Sequence, residues 1–303
     1  MFEHLLVPLD GSSLAEAALP AAAHLAQKLD ARVTLVHVIE QDPPREVHGQ
    51  RHLVDPDEAY AYLDEVAGRA FPPGAPVQRH VHTAAVGDLA RSIIAHQDEL
   101  APDLIVMCTH GQSGLRTRLF GSVAQQIIGL GNTPVLLIQP ERAAVPPGFA
   151  CRHLLLPLDG DPDHEQGLAV AAGLAGVCGA SLHLARVVPT LRTLPGQHRA
   201  SGRLLPGATS ALLDLAQDDA EAHLHEQVAR LQARGLAVTG GVQRGDPAAT
   251  IVRTAKRVGA DLVVLGTHGR TGLEAFWSES VAPQVIVRSH VPVLLVPVRK
   301  SVA

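Results

Sequence analysis

Short runs of uninterrupted apolar residues alternate along the chain with stretches whose apolar positions recur every three to four residues. In the first half the runs predict strands at about 4–9, 33–39, 77–83, 104–108 and 134–138. The helical periodicity between them predicts helices near 13–29, 56–70, 88–100 and 121–130. Continuous apolar strands separated by helices indicate a parallel sheet covered on both faces. The expected fold class is α/β, a doubly wound, Rossmann-like parallel sheet whose ligands bind beyond the carboxyl ends of the strands near the switch point.

The pattern occurs twice. "HLLVPLDGSSLAEAALPAAAHLAQKLDARVTLVHVI" (4–39) aligns without gaps to "HLLLPLDGDPDHEQGLAVAAGLAGVCGASLHLARVV" (153–188), an offset of 149. "VGDLARSIIAHQDELAPDLIVMCTHG" aligns to "RGDPAATIVRTAKRVGADLVVLGTHG", with Thr109 and Thr267 separated by 158. The second copy therefore holds about nine more residues, which the Pro-, Gly-, Ser- and Arg-rich segment 189–210 places in a mobile loop. A linker at 141–152, marked by Pro146, Pro147 and Gly148, separates domains expected at 1–142 and 151–300. Each copy ends in an apolar strand, 133–140 and 291–298, and bare sheet edges seek partners. The domains are expected to pack as a pseudo-two-fold pair through these strands, and a homodimer of the whole chain is left open.

Composition narrows the function. A net charge of −5, without any Lys/Arg-rich run, gives no surface for nucleic acid. Aromatic residues at 3% provide no base-stacking platform. Cys108, Cys151 and Cys178 suit a reducing compartment without a disulfide framework. The segment 167–185 is rich in Gly and Ala and broken at Gly179; it reads as a buried helix leading into a strand rather than a membrane span. The N-terminus lacks a basic leader, so a cytoplasmic protein is expected.

The candidate chemistry lies at strand ends. The first strand ends in Asp10, and the fourth delivers Thr109, His110 and Gly111 to the same edge. Gly121 and Ser122 then open a helix, whose unpaired N–H groups and partial positive charge favour an anion. Asp10 can accept from ribose hydroxyls. Asp-Gly after a strand is also ordinary turn chemistry, and Gly-Ser before a helix an ordinary cap. Together on one edge, they point to a mononucleotide site.

These residues resemble the universal stress protein family in its tandem form, over nearly the whole chain. Nucleotide-binding members carry Gly-x-x-Gly, nine residues, then Gly-Ser or Gly-Thr. The first copy reads Cys108-Thr-His-Gly111, nine residues, Gly121-Ser122, and departs at Cys108. The second reads Gly266-Thr-His-Gly269, nine residues, Glu279-Ser280, and departs at Glu279. The resemblance implies an adenosine pocket lined by Pro8, Leu9, Asp10 and Val38. Met107, His110, Gly111, Gly121, Ser122 and Val123 would complete it and hold the phosphates. A weaker second site would comprise Leu158, Asp159, Val187, Leu265, Gly269 and Ser280. The ligand so implied is ATP, AMP or ADP, with Mg²⁺ accompanying ATP, in a non-catalytic stress-response protein with an unidentified protein partner. Glu279 puts a carboxylate where phosphate would sit, so occupancy of the first copy is expected in preference to the second.

Rival readings remain. A member that binds no nucleotide would work by protein association. A hydrolase using His110 lacks an evident nucleophile with an orienting acid. Cys108 at a strand end is either a reactive thiol or a small buried residue. His80 and His82 share one strand face, and His223 and His225 lie on a helix, but the sequence supplies neither pair with a third metal ligand, and no metal site is expected. Walker A and dinucleotide fingerprints are absent.

Overall fold

The computed structural model describes residues 1–41, 46–47, 50–109, 121–139, 149–160, 165–194, 200, 204–268 and 281–298. The chain divides into two compact units, the first covering Met1–Ala150 and the second beginning at Cys151.

In the first unit the elements run β1 (His4–Pro8), α1 (Ser13–Glu16), α2 (Leu19–Leu29), β2 (Arg32–Glu40), β3 (Glu46–Val47), β4 (Gln50–Arg51), α3 (Pro56–Ala70), β5 (Val77–Val86), α4 (Leu89–Leu100), β6 (Leu104–Cys108), α5 (Ser122–Leu130) and β7 (Val135–Ile138). The strand order is β7-β6-β1-β2-β5, and every adjacent pair is parallel. The chain builds outward from β1 to β5, then returns to the other side of β1 with β6. That reversal lies between β1 and β6, where the crossover connections diverge and leave a crevice at the strand ends. Leu5, Leu6, Leu104 and Ile105, on the two strands flanking the reversal, are wholly buried. Each such side chain contributes about 1.5–3 kcal/mol relative to exposure.

The helical stretch expected at 13–29 is split. Pro20 has no N–H to donate and sits in the first turn of α2, so the chain ends α1 at Ala17 and restarts. The antiparallel β3–β4 pair was not foreseen, because two-residue strands carry no periodicity.

The second unit comprises β8 (His153–Leu158), α6 (Glu165–Cys178), β9 (Ser181–Val188), α7 (Pro206–Gln232), β10 (Val238–Arg244), α8 (Pro247–Val258), β11 (Leu262–His268), α9 (Val281–Arg288) and β12 (Val293–Val298). Its strand order, β12-β11-β8-β9-β10, has the topology of the first unit, again with parallel neighbours. The Gly/Ala-rich segment is α6 followed by β9, with Leu168, Ala171, Leu174 and Ala175 buried.

The duplication extends to individual hydrogen bonds. Asp103 accepts from the Glu3 and His4 amides at 2.6 and 3.0 Å. Asp261, 158 residues later, does the same for Arg152 and His153 at 2.9 and 3.0 Å. Each carboxylate ties the start of the central strand to the strand at the reversal. Asp88 and Asp246 likewise accept from the amides three residues on, capping α4 and α8.

The additional residues of the second copy require a correction. The segment 189–210 was expected to be a loop throughout, yet Pro206–Ser210 form the first turns of α7. At 27 residues α7 is much longer than the 15-residue α3 of the first unit. Its buried apolar positions, Leu213, Ala220, Leu224 and Leu231, form a helical stripe that Gln227 shares. Leu213 and Ala220 pack with Val188 and Leu194 in a small core of their own. Arg244 of β10 anchors the same turn through the Leu213 carbonyl at 3.1 Å and the Asp214 carboxylate at 2.6 Å. Residues 195–199 and 201–203 of the expected loop lie outside the described residues.

Candidate functional site

A cleft occupies the reversal in the first unit. It is lined by Pro8, Leu9 and Asp10 at the end of β1, by Val36, His37, Val38 and Glu40 of β2, and by Met107, Cys108 and Thr109 at the end of β6. Ala15 of α1, Leu89 and Ile93 of α4, His52, and Gly121, Ser122, Val123 and Ala124 at the start of α5 complete the lining. With the space open to solvent included, the cleft spans about 830 Å³. Of the ten residues anticipated for the first copy, eight line this one cleft: Pro8, Leu9, Asp10, Val38, Met107, Gly121, Ser122 and Val123. His110 and Gly111 lie outside the described residues.

Local chemistry explains the shape of the floor. Asp10 Oδ1 accepts from the Ser12 amide at 2.9 Å and the Ser12 hydroxyl at 2.6 Å. Ser12 Oγ in turn accepts from the Ala15 amide and caps α1. The turn reading of Asp-Gly therefore holds for that oxygen. Gly11 has φ +85°, a conformation strained for residues with a Cβ, and a Cβ there would also press on the Leu53 side chain at 2.9 Å. The buried His37 ring lies between the carbonyls of Leu9 and Leu53, with Nδ1 and Nε2 at 2.8 and 3.1 Å, and as a neutral ring donates to one of them, joining the segment after β4 to the end of β1.

That segment brings in His52, which sequence reasoning missed. His52 is 3% exposed, and neither ring nitrogen has a hydrogen-bond partner among the described residues. The Glu40 carboxylate stands 3.7 Å from Nε2. Burial pulls its pKa below the ordinary histidine value, against the raising effect of Glu40. A neutral imidazole offers one donor and one acceptor to a ligand. No periodic signal surrounds His52, and only the fold connects it to the cleft.

On the opposite wall, Gly121 caps α5 without a side-chain bond and donates its own amide to the Thr109 carbonyl at 2.8 Å. Ser122, Val123 and Ala124 line the cleft, and first-turn amides, which have no partner within a helix, favour an anion.

Cys108 Sγ is 3.7 Å from the Ala15 carbonyl. Burial, reinforced by the Asp10 carboxylate, pushes its thiol up to about 12. The side chain is half-buried in the cleft wall rather than fully buried, and the unreactive reading fits better than the reactive one, because the thiolate is the nucleophile. In folded protein at pH 8, Cys108 is expected to react with iodoacetamide about a thousandfold more slowly than an unperturbed cysteine of pKa about 8.5. Peptide mapping of the labelled chain measures this, and labelling at the rate of a free thiol would contradict it.

In the second unit Leu158 ends β8, Val187 lies in β9 and Leu265 in β11, on three adjacent strands, while Asp159 is exposed just beyond β8. Gly269, Ser280 and Glu279 lie outside the described residues. Gly160 repeats the φ of +85°, but there the guanidinium of Arg186 covers the turn. Arg186 stands where the first copy has His37, and it was not singled out from the sequence.

His80 and His82 also gain a companion that was not anticipated: the fold supplies His96 of α4 as a third imidazole. His223, by contrast, is engaged by Gln227 and Arg186 at 3.2 and 3.5 Å.

The fold and cleft define a class, a tandem of two doubly wound α/β units with a crevice at the switch point of the first. The model of the universal stress protein family matches residues 1–139 and 151–297, and the chain belongs to that family. It is 28% identical over 308 residues to Universal stress protein Rv2623 of Mycobacterium tuberculosis (strain ATCC 25618 / H37Rv), covering 96% of this chain and 95% of that one. Universal stress protein YxiE of Bacillus subtilis (strain 168) is 29% identical over 151 residues, 46% of this chain and all of that protein. In fold, the chain matches the crystal structure of a universal stress protein from Archaeoglobus fulgidus DSM 4304 with a TM-score of 0.71, at 19% identity, covering 98% and 97% of the two chains. Among the described residues no helix is long and apolar enough to cross a membrane.

Proposed function

We propose that the first unit binds an adenine nucleotide, ATP or its AMP and ADP relatives, without turning it over, and that occupancy alters a surface read by a protein partner in a stress response. The observation that carries this reading is the convergence of the β1 end, the β6 end and the start of α5 on a single cleft. Leu9, Val36, Val38 and Met107 supply apolar walls for a base, and the unpartnered nitrogens of His52 suit its polar edge or a ribose hydroxyl. The amides of Ser122, Val123 and Ala124 would hold phosphate, whose accompanying Mg²⁺ would neutralise further charge. The un-ionised Cys108 argues against a thiol nucleophile in the cleft. Binding would stabilise the native state in proportion to ligand concentration, by about 2.7 kcal/mol at a hundred times Kd. Occupancy of one nucleotide per chain is expected, in the first unit.

Mass spectrometry of the supernatant from freshly purified, denatured protein tests this, followed by calorimetric titration of the emptied chain with ATP. The expected result is adenine nucleotide at one equivalent per chain. Absence of nucleotide together with no heat of binding would favour a scaffold acting by protein association alone.

A further inference from the structure

We propose that His80, His82 and His96 form a binding site for a divalent transition-metal ion of the zinc class, with the fourth coordination position left to water. None of the three residues lines the cleft, so the inference stands apart from the nucleotide reading.

His80 and His82 are two residues apart on β5, the terminal strand of its order, and the period of a strand puts both on one face. His96 comes from α4 and is 2% exposed, whereas the other two are half-buried and reachable by an ion from solvent. One ligand atom from each of the three lies within 4.8 Å of the others. His96 meets both partners edge-on, with ring centroids 4.6 and 4.9 Å apart and interplanar angles of 71° and 85°. In a tetrahedral site with Zn–N near 2.0–2.1 Å, ligand nitrogens stand about 3.3 Å apart. The His80 and His96 Nε2 atoms, now at 2.8 Å, would separate slightly, within reach of small ring rotations.

The tautomer of His96 is already set for this role. Its Nδ1 lies 2.7 Å from the Ser92 carbonyl. A carbonyl oxygen only accepts, so Nδ1 carries the proton and the Nε2 lone pair faces His80. Metal-bound imidazoles are usually oriented by such a bond from the other ring nitrogen. In the metal-free chain, His80 Nε2–H donates to that lone pair, and an ion would replace the proton. An all-imidazole set selects zinc, copper, nickel or cobalt over magnesium or calcium. Glu99, on the same helix, is close enough to act on His80 with its negative charge.

The second unit shows what the fold itself requires here. His82 lies beside Val38 and Gln243 beside Val187, with Val38 and Val187 corresponding at the 149-residue offset. Thr254 corresponds to His96 at the 158-residue offset, and its hydroxyl donates directly to Gln243. By the same register Gly241 stands where the first unit has His80. A helix–strand tie at this place therefore needs only one neutral hydrogen bond, and three converging imidazoles exceed it.

The test uses the full chain, stripped with EDTA and exchanged into chelator-free buffer, then titrated with ZnCl₂ by calorimetry and with CoCl₂ by visible absorption. One high-affinity equivalent per chain is expected, with the intense absorption of four-coordinate Co²⁺. Replacing His82 with Gln should weaken zinc binding by more than about tenfold, since even outer-shell changes at metal sites cost that much. His96 is buried and His96→Gln can fail to fold, so the half-buried His82→Gln variant carries the comparison, with circular dichroism confirming its fold. Nitrogen-15 spectra of the unsubstituted chain should show Zn²⁺ shifting three imidazoles in step. Unchanged zinc affinity in the His80→Gln/His82→Gln double variant, or no equivalent tighter than the remaining histidines provide, would overturn the proposal.

Discussion

If the first unit binds ATP as proposed, Gly121→Glu is expected to lower its affinity by at least about tenfold and to leave the fold intact. The backbone tolerates the change, since Gly121 has φ −57° and ψ 138°, open to any L-residue. Its amide keeps the bond to the Thr109 carbonyl, because only a side chain is added. Glutamate is a poorer cap than glycine, but its charge at the start of α5 recovers about 0.3–1 kcal/mol from the helix dipole. The same placement works against a phosphate held by those amides. Two unit charges about 4 Å apart repel by roughly 4 kcal/mol at an effective dielectric near 20. Even a third of that, after the side chain turns toward water, amounts to about tenfold in Kd. Gly121→Gln separates charge from bulk and should lose much less. Calorimetry on the emptied chain decides: equal affinity in wild type and Gly121→Glu would remove the phosphate from the start of α5, even if ATP still binds elsewhere. The second copy carries glutamate at this place naturally, as Glu279, which is why the proposed occupancy favours the first unit.

Much of the architecture was legible because the strands are buried on both faces. "HLLVP" and "LIVMC" admit almost no polar residue, so their apolar runs mark β1 and β6 directly. Gapless alignment of the two copies then gave the second unit its topology. Legibility failed where the signal was local or mixed. Pro206 and Gly207 suggested a loop, while the stripe that makes α7 a helix begins only at Leu213. The cleft residues on strand ends and at the start of α5 were accessible from spacing and resemblance. His52 was not, because it reaches the cleft through the contact of His37 with the Leu53 carbonyl, which no pattern along the chain encodes. His96 was missed for a related reason. It faces His80 only through the packing of a helix beside a strand, and a count of residues between them contains no hint of that.

Stability is expected to fall as pH drops from 7.5 to 5, before any carboxylate titrates appreciably. His4 and His52 are 4% and 3% exposed. Burial is the first cause lowering both below the usual 6.5; the Arg32 charge adds to it at His4, and Glu40 opposes it at His52. His4 Nε2 is 2.8 Å from the Thr34 hydroxyl; the Leu100 and Ala101 backbone and the Asp103 charge favour a second proton, but burial and Arg32 outweigh them. His183 is shifted the same way, burial again coming first. In the unfolded chain these rings titrate near 6.5. Below that pH the unfolded state binds protons that the native state refuses, and linkage turns the difference into lost stability. Above it both states are neutral, and the contribution is complete. Each ring neutral in the native state and charged in the unfolded one adds up to about 1.4 kcal/mol per pH unit. The loss ceases once pH falls below the depressed native values. Urea midpoints of the metal-stripped chain at pH 7.5, 6.0 and 5.0 should therefore decline steadily, and His52→Leu should flatten the decline. A midpoint constant across that range would mean that the buried rings protonate in place, and the linkage argument would fail.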